Sequence, residues 1–168
     1  MLKTERLVLK HLCLDDAVSL FESAQDEEIG YWCGWKRHES VEETKYVIDH
    51  ILNKPYCFGI FIEGYAVGVI EIRVFSDNEK EGELGFWIGR PYWNKGYMTE
   101  ACEAILDFAF NKLTMEKIYC AYFDGNDRSR RVQQKIGFSF CYTEQKSPNR
   151  ISFVNVLSRC AYLAQAHK

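Results

Sequence analysis

Glu83-Leu84-Gly85-Phe86-Trp87-Ile88-Gly89, followed by Tyr92-Trp93-Asn94-Lys95-Gly96-Tyr97-Met98-Thr99-Glu100-Ala101, is the stretch on which the fold turns. The first part reads as a strand, and Pro91, which has no N–H, stops it. The second part reads as a short loop running into a helix from about Met98 to Lys112, with Ala101, Ile105, Phe108 and Ala109 at core spacing. Amides in the first turn of a helix have no acceptor within it and lie at the positive end of its dipole. The N–H groups of Lys95 through Thr99 are therefore expected to turn toward a phosphate or pyrophosphate. Gly96 would let such an anion approach closely, and Lys95 adds charge. The loop has neither the GxxxxGK[ST] of a Walker loop nor the GxGxxG of a dinucleotide fingerprint. A glycine loop before a helix can equally be a tight connection and nothing more.

Working outward, Leu7 to Leu12 alternates as a first strand. Asp15 or Asp16 can cap a helix reaching about Gln25, with Ala17, Leu20, Phe21 and Ala24 on one face. Asp26 to Glu39 is an acidic, aromatic loop or short-helix region. Ser40 and Glu43 form a capping-box pattern that opens a helix to about Asn53. Tyr56–Ile62 and Ala66–Phe75 form a hairpin about Glu63-Gly64-Tyr65. Asp77 to Gly82 turns into the Glu83–Ile88 strand, and Lys117–Phe123 is a further strand. Asn126–Ile136 is a short helix closed by Gly137, and Phe138–Thr143 pairs with Ile151–Leu157 about Ser147-Pro148-Asn149. The order β-αα-βββ-α-β-α-ββ predicts an α/β (mixed α+β) fold, one sheet with helices on both faces.

Length and composition narrow the function. The 168 residues suffice for one domain, residues 1–168, with a sizeable core. A net charge of −3 speaks against a general nucleic-acid binder. The seven cysteines are scattered with no CxxC, so no metal site or disulfide framework is expected, and reduced thiols fit a cytoplasmic protein. The N-terminus has no apolar signal region, and no run approaches the roughly 20 apolar residues that cross a bilayer, so no membrane partner is expected.

A second constellation is Asn126-Asp127-Arg128-Ser129-Arg130-Arg131-Val132-Gln133-Gln134-Lys135-Ile136-Gly137-Phe138. Together with the strand and loop, it resembles the GNAT (Gcn5-related) N-acetyltransferase superfamily in its RimJ/RimL-like branch. That branch carries E-L/I-G-Y/F-W-L/I-G, then Y-W-G-K-G-Y-A-T-E-A, then N-x-x-S-x-R-V-x-E-K-L-G-F. Thr4-Glu5-Arg6-Leu7-x-Leu9 resembles its opening, and Val156-Leu157-Ser158-Arg159…Tyr162-Leu163 its ending, so the likeness covers nearly the whole chain. Asn94 stands where glycine is usual, and Met98, where a small residue is usual, would crowd the pyrophosphate somewhat.

The resemblance implies a mostly antiparallel mixed sheet splayed between two strands, and acetyl-CoA as cosubstrate. The pyrophosphate would lie on the loop Asn94, Lys95, Gly96, Tyr97, Met98 and Thr99, and the pantetheine would pair with the backbone of Phe86, Trp87 and Ile88. Asn126 would hydrogen-bond the pantetheine. Lys135, with Arg130 or Arg131, would meet the adenosine phosphates, unless these side chains are simply a solvated helix face. An amine would attack the thioester directly.

Glu83 is the first candidate base, its alternative being an ion pair at a strand end; Glu71 and His38 are weaker candidates. Gln133 occupies the place of the tyrosine acid of many relatives, leaving Ser129 to hydrogen-bond the sulfur or merely to cap its helix. Tyr122 is a further candidate near the thioester, or a core residue. Trp32 and Trp35, among the acids of Asp26–Glu28, would face a cationic amine by cation–π contact, or else cover the core. The acceptor would be a protein N-terminal α-amine or a small-molecule amine. A homodimer is an analogy with the branch. A catalytically silent acyl-CoA sensor on the same fold is the alternative, and a nucleotide-phosphate enzyme a third reading.

Overall fold

A computed structural model describes residues 1–165. They form two compact units, one of Met1–Glu71 with Phe86–Ile105, the other of Ile72–Gly85 with the described residues from Leu106 onward. The strands are β1 (Leu2–Lys3), β2 (Val8–Lys10), β3 (Cys57–Ile62), β4 (Tyr65–Val74), β5 (Glu81–Ile88), β6 (Lys117–Phe123), β7 (Ser139–Ser147) and β8 (Arg150–Ser158). The helices are α1 (Ala17–Ala24), α2 (Glu27–Cys33), α3 (Val41–His50), α4 (Tyr97–Asp107), α5 (Asp127–Lys135) and α6 (Arg159–Gln165). Hydrogen-bonded strand neighbours follow the order β1-β2-β3-β4-β5-β6-β8-β7. The expected α/β fold with a mixed, mostly antiparallel sheet is what forms.

In the first unit, β2 pairs antiparallel with β3 (Leu9 opposite Ile60), and β3 with β4 (Phe58 opposite Ile70). The predicted Glu63-Gly64 turn joins β3 and β4, with both residues at positive φ. Ala17 and Leu20 of α1, Ile48 of α3, and Cys57, Phe61, Ala66 and Val69 of the hairpin make one buried cluster. This is why those helices carry apolar residues at helical spacing. A Cβ on Gly68 would run into the Trp87 carbonyl oxygen, so glycine there permits close approach of two backbones.

In the second unit, β5 and β6 run parallel, from Glu81 opposite Lys117 to Glu83 opposite Tyr119. β6 then pairs antiparallel with β8, and β8 with β7. The parallel ladder ends at Glu83 although β5 continues through Leu84 and Gly85, so the two strands part there, as the splayed sheet requires.

Local chemistry corrects several boundaries. Asp16 does not cap α1; its carboxylate turns back to accept from Cys13 N at 2.9 Å, closing a 3₁₀ turn over Leu14–Asp16. Ser40 Oγ caps α3 by accepting from Glu43 N at 3.1 Å. The Glu43 carboxylate accepts from Glu39 N instead of Ser40 N, so only half of the capping box forms. Part of the acidic, aromatic segment is helical, because Asp26 caps α2 by accepting from Glu28 N at 2.9 Å. The helix after the loop keeps α geometry only to Asp107 and passes into a π turn over Phe108–Lys112. β1 and α6 had no expected counterpart; β1 is two residues long and α6 buries none, so neither carries a periodic signal.

Candidate active site

The loop after β5 belongs to the first unit. Pro91 lies in a 3₁₀ turn over Arg90–Tyr92, and the Trp93 indole N–H donates to the Ile88 carbonyl at 2.8 Å, tying the loop to the strand it leaves. Asn94 (φ 60°) and Gly96 (φ 81°) are both left-handed. Glycine suits that conformation best, and asparagine is among the side chains that tolerate it, which explains how Asn94 replaces a glycine. Gly96 C=O accepts from Glu100 N at 3.1 Å, the first bond of α4. The amides of Tyr97, Met98 and Thr99 precede that bond and stand free of the helix ladder. Met98, expected to crowd a pyrophosphate, is buried among the core residues.

Of the proposed pantetheine strand, Phe86 and Trp87 are half-buried and Ile88 is buried. Gly89 N donates to Val67 O at 2.8 Å. Trp35 meets Trp87 edge-on at 5.6 Å and lies 5.4 Å from His38, while Trp32 meets Tyr31 edge-on at 4.9 Å. His38 is 7% exposed, and its Nδ1 lies 2.8 Å from Thr44 Oγ1. Thr44 Oγ1 also lies 3.2 Å from Ser40 O, so the His38 ring is fixed in a chain of contacts to the start of α3. Burial pushes the His38 pKa down despite nearby Glu43. His38 is thus a packed structural residue, not a base facing solvent. An open groove of about 770 Å³ is lined by Glu22, Asp26, Glu27, Glu28, Tyr31 and Arg90. Arg90 there pairs with Asp26 at 2.7 Å and with Glu28 at 3.6 Å.

The second unit holds Glu83, Asn126, Ser129 and Lys135. Glu83 is half-buried at the end of the parallel ladder, its carboxylate 3.3 Å from the Arg73 guanidinium. Cys120, next along β6, is fully enclosed, and burial, with Glu83 nearby, pushes its thiol far up. Asn126 Oδ1 caps α5 by accepting from Ser129 N at 3.2 Å. Gln133 is completely buried: Asn155 Nδ2 of β8 donates to its Oε1 at 2.8 Å, and its Nε2 donates to Ser129 Oγ at 3.2 Å. Ser129 Oγ accepts in that bond, which leaves its own hydrogen to be donated elsewhere. Sequence reasoning read Gln133 only as a missing tyrosine; its i+4 spacing from Ser129 was the available signal. Arg130 is held by Asp127 within its own helix at 2.8 Å, whereas Lys135 is exposed. Tyr122 stacks on Phe153 at 5.4 Å.

The described residues contain no group of His, Cys, Asp and Glu that could hold a metal ion, and no helix among them is long and apolar enough to cross a membrane. Residues 6–139 match the family described as "Acetyltransferase (GNAT) domain". In Bacillus subtilis (strain 168), YkkB is 36% identical over 132 residues, covering 78% of this chain and 73% of that protein. The uncharacterized N-acetyltransferase YoaA of the same organism is 23% identical over 82% of each chain. YdaF is 30% identical over 80 residues, 48% of this chain, and the match spans only 44% of YdaF. The fold superposes on a GNAT-family acetyltransferase from Bacillus anthracis with a TM-score of 0.84, 22% identity and coverage of 94% of this chain and 98% of that one. It also superposes on the microcin C7 self-immunity acetyltransferase MccE, solved with acetyl-CoA and AMP, at a TM-score of 0.81, 16% identity and coverage of 92% and 93%. With the family match running through strand, loop and helix, the chain belongs to the GNAT acetyltransferases, enzymes of the acyltransferase class that use acetyl-CoA as cosubstrate.

Proposed function

We propose that this chain, acting as one domain over residues 1–168, moves the acetyl group of acetyl-CoA to a primary amine, either a protein N-terminal α-amine or the amine of a small molecule. The observation that carries the donor half is the loop: left-handed Asn94 and Gly96 ahead of the free amides of Tyr97, Met98 and Thr99. These, with Lys95, would take the pyrophosphate, and the Phe86–Ile88 backbone would take the pantetheine. Asn126 keeps its cap through Oδ1, which leaves Nδ2 to donate to the pantetheine. Exposed Lys135 would meet the adenosine phosphates.

The amine nitrogen bonds to the thioester carbon, the C–S bond breaks, and the amine's proton leaves. Only a neutral amine attacks; deprotonating a free lysine near pH 7 costs roughly 4–5 kcal/mol and an α-amine about 1–1.5 kcal/mol. Glu83 is the proposed proton acceptor, through water. Ser129 would give its hydroxyl hydrogen bond to the departing sulfur, the direction that Gln133 leaves open. The acidic groove, with Trp32 and Trp35 beside it in sequence, supports a cationic acceptor.

The edge strand β7, exposed along its length with Phe140 63% and Tyr142 48% exposed, favours a homodimer, checked by light scattering on the eluting protein. Seven cysteines in the reduced thiol form fit a reducing cytoplasm.

Thermal unfolding with acetyl-CoA tests the donor, with ATP–magnesium as control. At 100 times its dissociation constant acetyl-CoA adds about 2.7 kcal/mol. A shift with acetyl-CoA alone, followed by thiol release with one of a panel of amines and N-terminal peptides, is the expected result. No shift at millimolar acetyl-CoA overturns the reading.

A further inference from the structure

The opening Thr4-Glu5-Arg6 has no part in the proposed chemistry, yet its side chains reach across about ninety residues of sequence to the anion loop, all within the first unit. Thr4 Oγ1 donates to Glu100 Oε1 at 2.5 Å, and the Arg6 amide donates to the same oxygen at 2.9 Å. Arg6 Nε and Nη2 both lie 2.7 Å from Glu100 Oε2. Arg6 Nη1 donates to the Lys95 carbonyl at 3.0 Å, and Arg6 Cζ sits 4.5 Å above the Tyr97 ring. The guanidinium therefore holds the residue before Gly96 and the residue after it, and a Cβ on Gly96 would come within 3.3 Å of Nη2. Burial raises the Glu100 pKa, but the hydrogen bonds from Thr4 and Arg6 outweigh it and keep the group ionised.

We propose that Arg6 is a positioning residue for acetyl-CoA binding: it fixes the Lys95–Tyr97 backbone so that the first amides of α4 face one anion, and it cancels the charge of Glu100 beside that anion. This rests on the acetyl-CoA reading of the loop. A planar fork holds a carboxylate on two of its N–H groups and a carbonyl on a third at fixed spacing, a geometry that the compact ammonium of a lysine reproduces only in part. Without Arg6 the Lys95–Tyr97 end of the loop loses this hold, although Trp93 still ties the loop to Ile88, and an uncompensated carboxylate stands one helical turn from the pyrophosphate.

The test is calorimetric titration of acetyl-CoA into the wild-type chain, Arg6→Met, Arg6→Lys, Glu100→Gln and the Arg6→Met/Glu100→Gln pair. Steady-state kinetics and ligand-free melting are measured on the same proteins. Arg6→Met should raise the acetyl-CoA Kd and KM about tenfold, with kcat within about twofold, the loss expected for a charge-assisted contact. Arg6→Lys should recover only part of this. The pair should bind more tightly than Arg6→Met alone, because removing Glu100 lifts the repulsion; a merely structural clamp would show no such recovery. Should Arg6→Met not fold, Arg6→Lys and Glu100→Gln carry the comparison. Wild-type affinity in the folded Arg6 variants, or a fall in kcat without a change in KM, overturns the proposal. Failure of the wild-type chain itself to bind acetyl-CoA overturns the reading beneath it.

Discussion

Asn94 shows how much one backbone angle decides. Its φ of 60° places a non-glycine residue in the left-handed region, at a loop position where sequence comparison alone would score a defect. Asn94→Gly is expected to be neutral or slightly stabilising, whereas Asn94→Val should cost about 1–2 kcal/mol, because a branched Cβ crowds that conformation. Urea midpoints of the two variants check this. His38 sets a pH dependence. Its folded pKa lies below the unfolded value of 6.5, so below that pH the unfolded chain binds more protons than the folded one. Stability from this residue is complete above pH 6.5 and declines as the pH falls toward the folded value, by at most about 1.4 kcal/mol per pH unit. Unfolding at pH 7 and pH 5.5 should differ less for His38→Gln than for the wild type. An equal difference in both would show that other groups carry it.

At the scale of the element, α5 does two jobs at once. Its outer face is charged and exposed, while Gln133 points inward and is held by Asn155 of β8. That bond fixes which end of the Gln133 amide reaches Ser129. Gln133→Glu keeps an acceptor for Asn155 but replaces the donor to Ser129 with another acceptor, so the Ser129 hydroxyl would turn toward it. We expect kcat to fall about tenfold or more with the acetyl-CoA KM little changed. Gln133→Leu should in addition cost about 1–3 kcal/mol of stability, because it strands the Asn155 amide. Unchanged turnover in Gln133→Glu would remove Ser129 from the sulfur's side of the reaction.

At the scale of the whole molecule, the seven cysteines are reduced thiols that differ in access. Cys13, Cys141 and Cys160 are exposed, while Cys57, Cys102 and Cys120 are buried. Brief alkylation of the native protein at pH 8, read by mass spectrometry, should modify the exposed set and spare the buried one. Cys120 should be spared most, since burial holds its thiol protonated. Modification of Cys120 before Cys141 would mean that β6 opens far more readily than its pairing with β8 implies.

The sequence by itself determined the order of the elements between β2 and β8 and the strand–loop–helix that opens at Gly96, while β1 and α6 escaped it. The elements are local patterns, such as apolar periodicity, glycine placement and cap residues, each written within a dozen or so neighbours, and the family showed separately as a resemblance of three ordered motifs. Only the tertiary structure decided what those patterns meet. Asp16 offered itself as a forward cap and turned back to Cys13, because a 3₁₀ turn presented a nearer donor. Met98 resembled an obstruction and proved to be core, since the direction of a side chain from a helix depends on what packs against that face. The joining of Arg6 to Glu100 and Lys95, and of Gln133 to Asn155, lies outside any local window. Such pairs leave no periodic trace, because they form only when β-strand pairing brings distant segments within hydrogen-bond reach.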